Sequence, residues 1–193
     1  MAPIEDEELL EGRVLMVQAL ARQLLALDEA IKGFDEKIAG CYGSHSDAVI
    51  WSSFPGAGAS LAPRLAVAWG EDRERFAQAS QMQLYSGHAP VRCRSGKKNR
   101  VRRRYCRPLF LHQTFWEHAN HSVLHCAWAR DFVAEQKARG KKHSTAMRAL
   151  AFKWQRIMFR CWKDRRPYDE ATYLKALKKA GSPYASRPVS KAA

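Results

Sequence analysis

The stretch that decides the fold reads Ser53-Phe54-Pro55-Gly56-Ala57-Gly58 and lies between two short helical patterns, at residues 47–53 and 60–69. Glycine lets a backbone come close to a phosphate, and the free N–H groups that open the following helix can receive its negative charge. The stretch therefore predicts a helix-hairpin-helix-like element with three phosphate-contacting residues, Pro55, Gly56 and Gly58. The alternative is a tight turn between two helices that binds no ligand.

The N-terminal segment has apolar residues at alternating steps of four and three, which begin Leu10, Val14, Val17, Ala21 and Leu24. Such a heptad seam is typical of a helix that packs against a partner helix. We predict a coiled-coil-type helix that joins copies of the chain into a homo-oligomer. An ordinary amphipathic helix packed on the rest of the chain is the alternative.

Helical periodicity also dominates the remainder of the chain. It predicts four further helices, at residues 79–85, 108–139, 144–162 and 169–179. Alternation of apolar and basic residues around Val91 and Cys93 predicts two short strands, with Ser95-Gly96 at the turn between them.

These patterns predict a mainly α fold class. It consists of a long N-terminal coiled-coil-type helix and a helical domain that contains the helix-hairpin-helix-like element and a short basic extended segment. The expected domains are the dimerisation helix, the functional domain and a loose basic tail, at residues 1–40, 47–175 and 176–193.

Composition restricts the functional classes. The formal net charge is +14 and the pI is about 9.9, which indicates a polyanionic partner such as nucleic acid or an anionic membrane surface. No stretch reaches the roughly 18 apolar residues of a membrane span, and the acidic N-terminus is unlike a signal peptide. We expect a cytoplasmic protein without a membrane partner.

The cysteines and histidines give little support for a metal site. Five cysteines without a Cys-x-x-Cys pair indicate neither a disulfide framework nor a zinc ribbon. His118, His121 and His125 have helical spacing that could hold a metal, but no carboxylate accompanies them in a metalloprotease pattern. We therefore expect surface or core histidines and no metal.

The charge is concentrated in a basic cluster. No acidic residue lies between Arg75 and Glu117, and nine of the sixteen residues from Arg92 to Arg107 are Lys or Arg. Binding to nucleic acid releases the counterions condensed on its phosphates, so such a cluster favours DNA as partner. The residues expected to contact phosphate here are Arg92, Arg94, Gly96, Lys97, Lys98, Arg100, Arg102, Arg103 and Arg104. A solvated basic loop is the alternative.

Ser95 lies at the centre of this cluster. A serine hydroxyl is a weak nucleophile at neutral pH and needs a base, a metal or a strongly positive field. Guanidinium groups can also stabilise the charge that develops on a phosphodiester under attack. Ser95 is therefore a candidate nucleophile, whereas the bland alternative is an ordinary Ser-Gly turn residue. The base is not identified, and His88 is near only in sequence.

The chain resembles the C-terminal half of transposases of the IS-one-ten family of insertion sequences. The resemblance runs through Ser53 to Gly58, Gly70 to Phe76, Tyr85 to Pro90 and Arg94 to Lys98, within roughly residues 48–173. Membership of this family implies that Ser95 attacks a DNA phosphate and forms a phosphoserine link, which strand exchange later resolves. It also implies a structured guide-type RNA and magnesium ions held by the acidic tetrad of a RuvC-like domain.

This chain departs from the family pattern because it begins at the long helix and has no acidic tetrad. We therefore expect a truncated or split form without cofactor of its own, which binds DNA but is inactive in recombination by itself. The predicted function is the DNA-binding and strand-transfer domain of an insertion-sequence transposase, a product of a mobile element. The alternative is a non-catalytic nucleic-acid-binding protein of the helix-hairpin-helix type.

Overall fold

Eight helices and one strand hairpin make up the part of the chain that the computed structural model describes, residues 7–181. The elements follow one another in the order α1 Glu7–Gly43, α2 Ala48–Ser52, α3 Leu61–Trp69, α4 Ala79–Tyr85, β1 Val91–Ser95, β2 Lys98–Arg102, α5 Leu109–His125, α6 Ala127–Ala138, α7 His143–Lys163 and α8 Glu170–Lys179. The mainly α fold class is thereby confirmed. Two compact units divide the described chain, residues 7–44 and residues 45–181.

The first unit is the long helix α1, whose 37 residues span about 55 Å at roughly 1.5 Å per residue. It continues through Gly40 to Gly43, because a single internal glycine lowers helix stability by only about 1 kcal/mol. Leu24 of the predicted seam and Ile31, which continues the seam seven residues later, are 67% and 56% exposed. Between residues 7 and 181, neither α1 nor a later helix has the length and apolar character needed to cross a membrane.

The core of the second unit is built around α7, which packs against α4, α5 and α6. Its apolar residues recur at steps of three and four, so that one face of the helix is buried. The large buried side chains of α7 are Met147, Leu150, Trp154, Met158 and Trp162. The opposing elements contribute a set of aromatic side chains, Trp51, Trp69, Phe115 and Trp128. This helical body carries the strand hairpin between α4 and α5.

The prediction of a single helix over residues 108–139 is wrong, because the helix is interrupted at Cys126 and forms two helices, α5 and α6. Cys126 is buried and has an extended backbone, with φ −136° and ψ 117°. The Arg130 side chain donates hydrogen bonds to the carbonyl oxygens of Val123 and Leu124, both at 3.3 Å. These bonds satisfy two of the last carbonyl groups of α5, which have no backbone N–H donor from a further helical turn. Neither Gly nor Pro marks the break, so the apolar pattern runs through it unchanged.

The C-terminal helix α8 has a side-chain cap at its N-terminus. The Asp169 carboxylate accepts hydrogen bonds from the backbone N–H groups of Ala171 and Thr172, both at 3.1 Å. The helix predicted over residues 169–179 is confirmed, and residues 176–179 of the predicted tail belong to α8. Residues 182–193 of that tail lie outside the described residues.

Candidate nucleic-acid interface

The basic cluster forms an antiparallel strand hairpin, which confirms the two predicted strands. Ser95 is the last residue of β1 and pairs with Lys98, so the turn consists of Gly96 and Lys97. A two-residue hairpin turn favours a residue with positive φ, and Gly96 has φ 55°. The turn therefore lies one residue later than the Ser95-Gly96 turn predicted from the sequence.

The register of the hairpin divides the predicted phosphate-binding residues between its two faces. Side chains alternate along a strand, and directly paired residues project from the same face. Ser95 consequently shares a face with the three basic residues of β2 that pair with Ser95, Cys93 and Val91, namely Lys98, Arg100 and Arg102. Arg92 and Arg94 lie on the opposite face, where their partners are Val101 and Asn99.

The positive charge of the hairpin is not neutralised within the described chain. Apart from the half-buried Val91, every residue of both strands is exposed. Several carboxylates of the second unit form ion pairs outside the hairpin, for example Asp47 with Arg73 at 2.6 Å and Glu117 with Arg64 at 2.6 Å. Among residues 7–181, no carboxylate forms an ion pair with a Lys or Arg of the hairpin. The hairpin therefore presents its charge to an external anion.

A buried polar network holds the start of the hairpin on α7. The Gln155 amide nitrogen donates to the Ser86 hydroxyl at 2.7 Å and lies 3.3 Å from His88 Nδ1. His88 Nδ1 is also 3.1 Å from the same hydroxyl, and the His88 ring stacks on His112 with centroids 4.5 Å apart. Because buried polar groups are costly to leave unpaired, this network fixes the entry of β1.

Burial also changes the acid–base behaviour of this network. Removal from water is the largest cause that lowers the pKa of His88, to about 3, and the neighbouring charges of His112 and Arg107 lower it further. A histidine with this pKa is a weak base, and His88 is already hydrogen-bonded to Ser86. His88 is therefore a poor candidate for the base that would serve Ser95.

Arg107 stabilises the segment that follows β2 and leads from the hairpin to α5. Its guanidinium donates to the carbonyl oxygens of Arg104 at 2.6 Å and Tyr105 at 3.2 Å. Its methylene chain packs on Gly87, where an added Cβ would collide with Arg107 Cδ and lie 2.9 Å from Arg107 Cβ. Gly87 has φ 76°, so this position demands glycine both for its backbone and for the contact.

Arg103 and Arg104 lie beyond β2 and outside the strand pairing. The Arg103 guanidinium stands over the Tyr105 ring, 4.4 Å from its centroid. Both arginines line a cavity of about 380 Å³ together with Arg107 and Arg148. The nine basic residues of the cluster are thus distributed between an exposed hairpin and a concave site beside it.

The loop at residues 53–58 has a packing role that the sequence did not indicate. Gly56 has φ 79°, and an added Cβ would lie 2.8 Å from the carbonyl carbon of His121 on α5. Gly58 has no atom within 4 Å of an added Cβ. Gly56 thus allows close approach of the loop to α5, whereas phosphate contact by Pro55, Gly56 and Gly58 stays a prediction.

The three histidines that were weighed as metal ligands, His118, His121 and His125 of α5, face different surroundings. His118 is fully buried, where burial lowers its pKa to about 3, and its ring meets Phe54 and Trp154 edge-on. His121 and His125 line an open cavity beside the 53–58 loop. Within residues 7–181, no group of three His, Cys, Asp or Glu side chains is arranged to hold a metal ion.

Sequence reasoning missed the residues that support the hairpin. Gln155 lies 67 residues from His88, and no local pattern connects the two. His112 and Arg148 likewise come from different helices, and although Arg107 was counted in the basic cluster, its packing on Gly87 was not predicted. The one local signal was Gly87, since a glycine directly before a strand often marks a required positive φ.

Comparison with known proteins identifies three related proteins of insertion elements. A Streptomyces coelicolor mini-circle protein named as a transposase for IS117 is 30% identical over 156 residues, which cover 79% of this chain and 37% of that protein. The IS900 42 kDa protein of Mycobacterium paratuberculosis is 30% identical, with 81% of this chain and 40% of that protein covered. The IS116 44.8 kDa protein of Streptomyces clavuligerus is 30% identical, with 81% and 39% covered.

The chain thus spans about two fifths of the length of these relatives. The sequence model of the transposase family IS116/IS110/IS902 matches residues 49–134, a segment that contains both the 53–58 loop and the strand hairpin. The resemblance drawn from the sequence motifs concerned this same family. Over residues 49–134, the chain matches the IS116/IS110/IS902 family of transposases.

Proposed function

We propose that this chain is the DNA-binding and strand-transfer domain of an insertion-sequence transposase, with Ser95 as nucleophile. The observation that supports this proposal is the position of Ser95. It ends β1 on an exposed hairpin, on the face that also carries Lys98, Arg100 and Arg102. A DNA strand laid along that face would have its phosphates near both the hydroxyl and three positive charges.

In the proposed step, Ser95 Oγ attacks the phosphorus of a DNA phosphodiester. A new Oγ–P bond forms while the bond between phosphorus and the leaving deoxyribose oxygen breaks, so that a phosphoserine link joins the protein to one DNA end. The charge of the non-bridging oxygens is stabilised by positive groups on the Ser95 face, chiefly Lys98 and Arg100. The proton of the hydroxyl passes to water or to a base other than His88, whose pKa is lowered to about 3 by burial.

Magnesium belongs to this proposal only through the resemblance. The carboxylates within residues 7–181 do not form a cluster suited to it: Asp47, Glu74 and Glu117 are committed to ion pairs. We therefore assign no step of the reaction to a metal bound by these residues. The recombination reaction that the resemblance implies would need the acidic residues of a RuvC-like domain.

Three partners follow from the proposal: DNA, a guide-type RNA and further copies of this chain. The exposed basic hairpin suits either nucleic acid, because phosphate contacts do not depend on base sequence. The oligomer is proposed to form through α1, whose exposed seam residues Leu10, Val14 and Leu24 are the kind that a coiled coil buries.

The nucleophile is tested by trapping the covalent product. The protein is mixed with a separately supplied RuvC-like half, guide RNA, magnesium and radiolabelled element ends, and denaturing gels are examined for a protein–DNA adduct. We expect the adduct with the unaltered protein and with Ser80→Ala, an exposed serine on α4. Ser95→Ala should abolish it, and an adduct that persists in Ser95→Ala would refute the assignment.

The hairpin register supplies a matched test of the positive charges. Arg100→Gln and Arg94→Gln remove the same charge from opposite faces of the hairpin. Both variants should weaken DNA binding to a similar degree. Only Arg100→Gln should slow adduct formation at saturating DNA, by about tenfold or more, because it lies on the face of Ser95. Equal effects of the two variants would contradict this placement.

A non-catalytic nucleic-acid-binding module is the second candidate, because exposure and uncompensated charge suffice for binding alone. It predicts DNA affinity that falls steeply with salt, with a slope of about −0.9 per phosphate contact. Ser95→Ala would leave that binding unchanged, and charge reversal of Arg102, Arg103 and Arg104 would abolish it. This candidate is favoured if no adduct forms in the complete mixture while binding is intact.

A further inference from the structure

A concave site lies where the hairpin returns to the helical body. Its volume is about 380 Å³, within the range of about 300–1,000 Å³ that is usual for small-molecule sites. We call it the arginine pocket and define it by the residues used below: Arg103, Arg104, Arg107, His112, Trp116 and Arg148. Four of these six side chains carry a guanidinium group, and none carries a carboxylate.

The guanidinium groups of the arginine pocket are only partly hydrogen-bonded: Arg107 donates through Nη1 to backbone carbonyl oxygens, and Arg148 donates through Nη2 to the Thr145 hydroxyl at 3.2 Å. Within residues 7–181, no acceptor meets the buried Nε–H groups of Arg104 and Arg107. Burial is the largest cause that lowers the pKa of Arg148, and the charges of Arg103 and Arg107 lower it further. A buried donor without an acceptor is costly, and like charges repel, so an anion in the pocket would relieve both.

The N-terminus of α7 adds to this preference for an anion. Ser144 of its first turn lines the pocket. The first turn contains no acidic residue, and the N-cap residue Lys142 makes no side-chain cap. The positive end of a 21-residue helix therefore reinforces the arginine cluster.

An aromatic wall faces these donors. His112 stacks on His88 and its ring lies 6.1 Å from that of Trp116, with an angle of 32° between the planes. His112 Nδ1–H donates to the carbonyl oxygen of Ser86 at 3.2 Å, which fixes the orientation of the ring. Aromatic walls beside positive charge are the usual elements of sites for unpaired bases.

A second, larger cavity adjoins the pocket. Gly87, Arg103 and Arg148 line both the arginine pocket and a neighbouring cavity of about 790 Å³. That cavity carries further basic residues, among them Lys141 and Arg156. A strand whose nucleotide occupied the pocket could therefore place its next phosphates along a positive surface.

We propose that the arginine pocket binds one unpaired nucleotide of a nucleic-acid strand, with its phosphate on Arg103, Arg107 and Arg148 and its base against Trp116. A duplex keeps its bases stacked inside and could not place one in a concave site of this size. This inference rests on the proposed function, because it requires a chain that binds nucleic acid. It adds a site for single-stranded nucleic acid that is separate from the exposed faces of the hairpin.

The test compares fluorescence anisotropy of labelled 12-nucleotide probes with the full chain. The probes are a DNA strand, the same strand with abasic sites, the RNA strand of the same sequence and the DNA duplex. Arg148→Gln should weaken binding of the ordinary strands about tenfold and binding of the duplex less than twofold. Arg139→Gln is the matched control, because it removes the same charge from a surface pair with Glu135, and it should change each affinity less than twofold.

Trp116 tests the position of the base. Trp116→Leu should weaken binding of the ordinary strand about fivefold or more and leave the abasic strand within twofold, and Trp116→Phe should restore most of the loss. The ratio of losses for DNA and RNA strands after Arg148→Gln identifies which strand the pocket favours. Thermal melting of each variant checks that the fold is retained.

Two results would overturn the proposal. One is an equal loss of strand and duplex binding in Arg148→Gln, and the other is an equal loss of ordinary and abasic strand binding in both Trp116 variants. Failure of the proposed function would give a different result. No adduct would form in the complete mixture, but the Arg148 and Trp116 variants would still weaken binding of the single strand more than binding of the duplex.

Discussion

Replacing Gly56 with alanine adds one methyl group at the closest contact between the 53–58 loop and α5. The new Cβ would lie 2.8 Å from the carbonyl carbon of His121 and 3.0 Å from the backbone nitrogen of Ser122. Gly56 also has φ 79°, a region that costs an L-residue roughly 1–2 kcal/mol. Overpacking against backbone adds about 1–3 kcal/mol. The free energy of unfolding should therefore fall by about 2–5 kcal/mol.

Gly58→Ala is the matched control in the same loop. No atom lies within 4 Å of its added Cβ, so we expect a change within about 1 kcal/mol, in the stabilising direction. For a chain of this size, each kcal/mol shifts Tm by roughly 2–4 °C, so Gly56→Ala should lower Tm by about 4–20 °C.

The assay is urea and thermal unfolding followed by tryptophan fluorescence, which reports on the second unit because all six tryptophans lie between residues 51 and 162. Equal stability of the two alanine variants would refute the close-approach role of Gly56. The same proteins also test the predicted phosphate contact. A Gly58→Ala protein that is stable but binds DNA several-fold more weakly would support that contact, and unchanged binding would favour a plain turn.

Three other predictions concern acid stability, a buried ion pair and assembly. Burial lowers the pKa of His88 and His118 to about 3, so as the pH falls below 6.5 these two histidines become protonated in the unfolded chain before they do in the folded one. The free energy of unfolding should therefore decrease as the pH falls from 6.5 towards 3, by about 2 kcal/mol per histidine at pH 5. Urea unfolding at pH 7 and 5 should show about half of that pH effect in His118→Gln, and an unchanged effect would contradict the assignment. Asp47→Asn should lower the free energy of unfolding by about 3–5 kcal/mol, because it leaves a buried guanidinium unpaired, whereas Asp164→Asn at a surface pair should cost less than about 1 kcal/mol; similar losses in urea unfolding would refute the distinction. Leu24→Asp should reduce the mass measured by light scattering to that of a monomer, and an oligomer that survives would exclude this seam as its interface.

Short local patterns were sufficient where an element depends on its own residues. The α4 range 79–85 was predicted correctly, because a helical pattern with Gly87 after it contains its own stop signal. The hairpin was predicted from alternation and from one glycine, and its turn was misplaced by a single residue. Prediction failed at Cys126, because the interruption depends on burial of that side chain and on hydrogen bonds from Arg130.

For the candidate site, composition indicated the kind of partner but not the geometry. The acid-free basic cluster and Ser95 were evident in the sequence. Which β2 residues share the Ser95 face follows from strand register, and a shift by one residue would have put Asn99 and Val101 there in place of Lys98, Arg100 and Arg102. The residues that anchor the hairpin, among them Gln155, could not be found from sequence because they lie many residues away.

By itself, the sequence determined a mainly helical chain with a long apolar-seamed helix, a strongly basic hairpin and a family resemblance carried by short motifs. These properties depend on residues that are close together along the chain, where periodicity and charge can be read directly. Only the tertiary structure decided that Gly56 packs on α5, that the histidine at position 88 is buried, and that Arg103, Arg107 and Arg148 surround one cavity. Such features arise from contacts between distant segments, whose free energy depends on how the whole body packs.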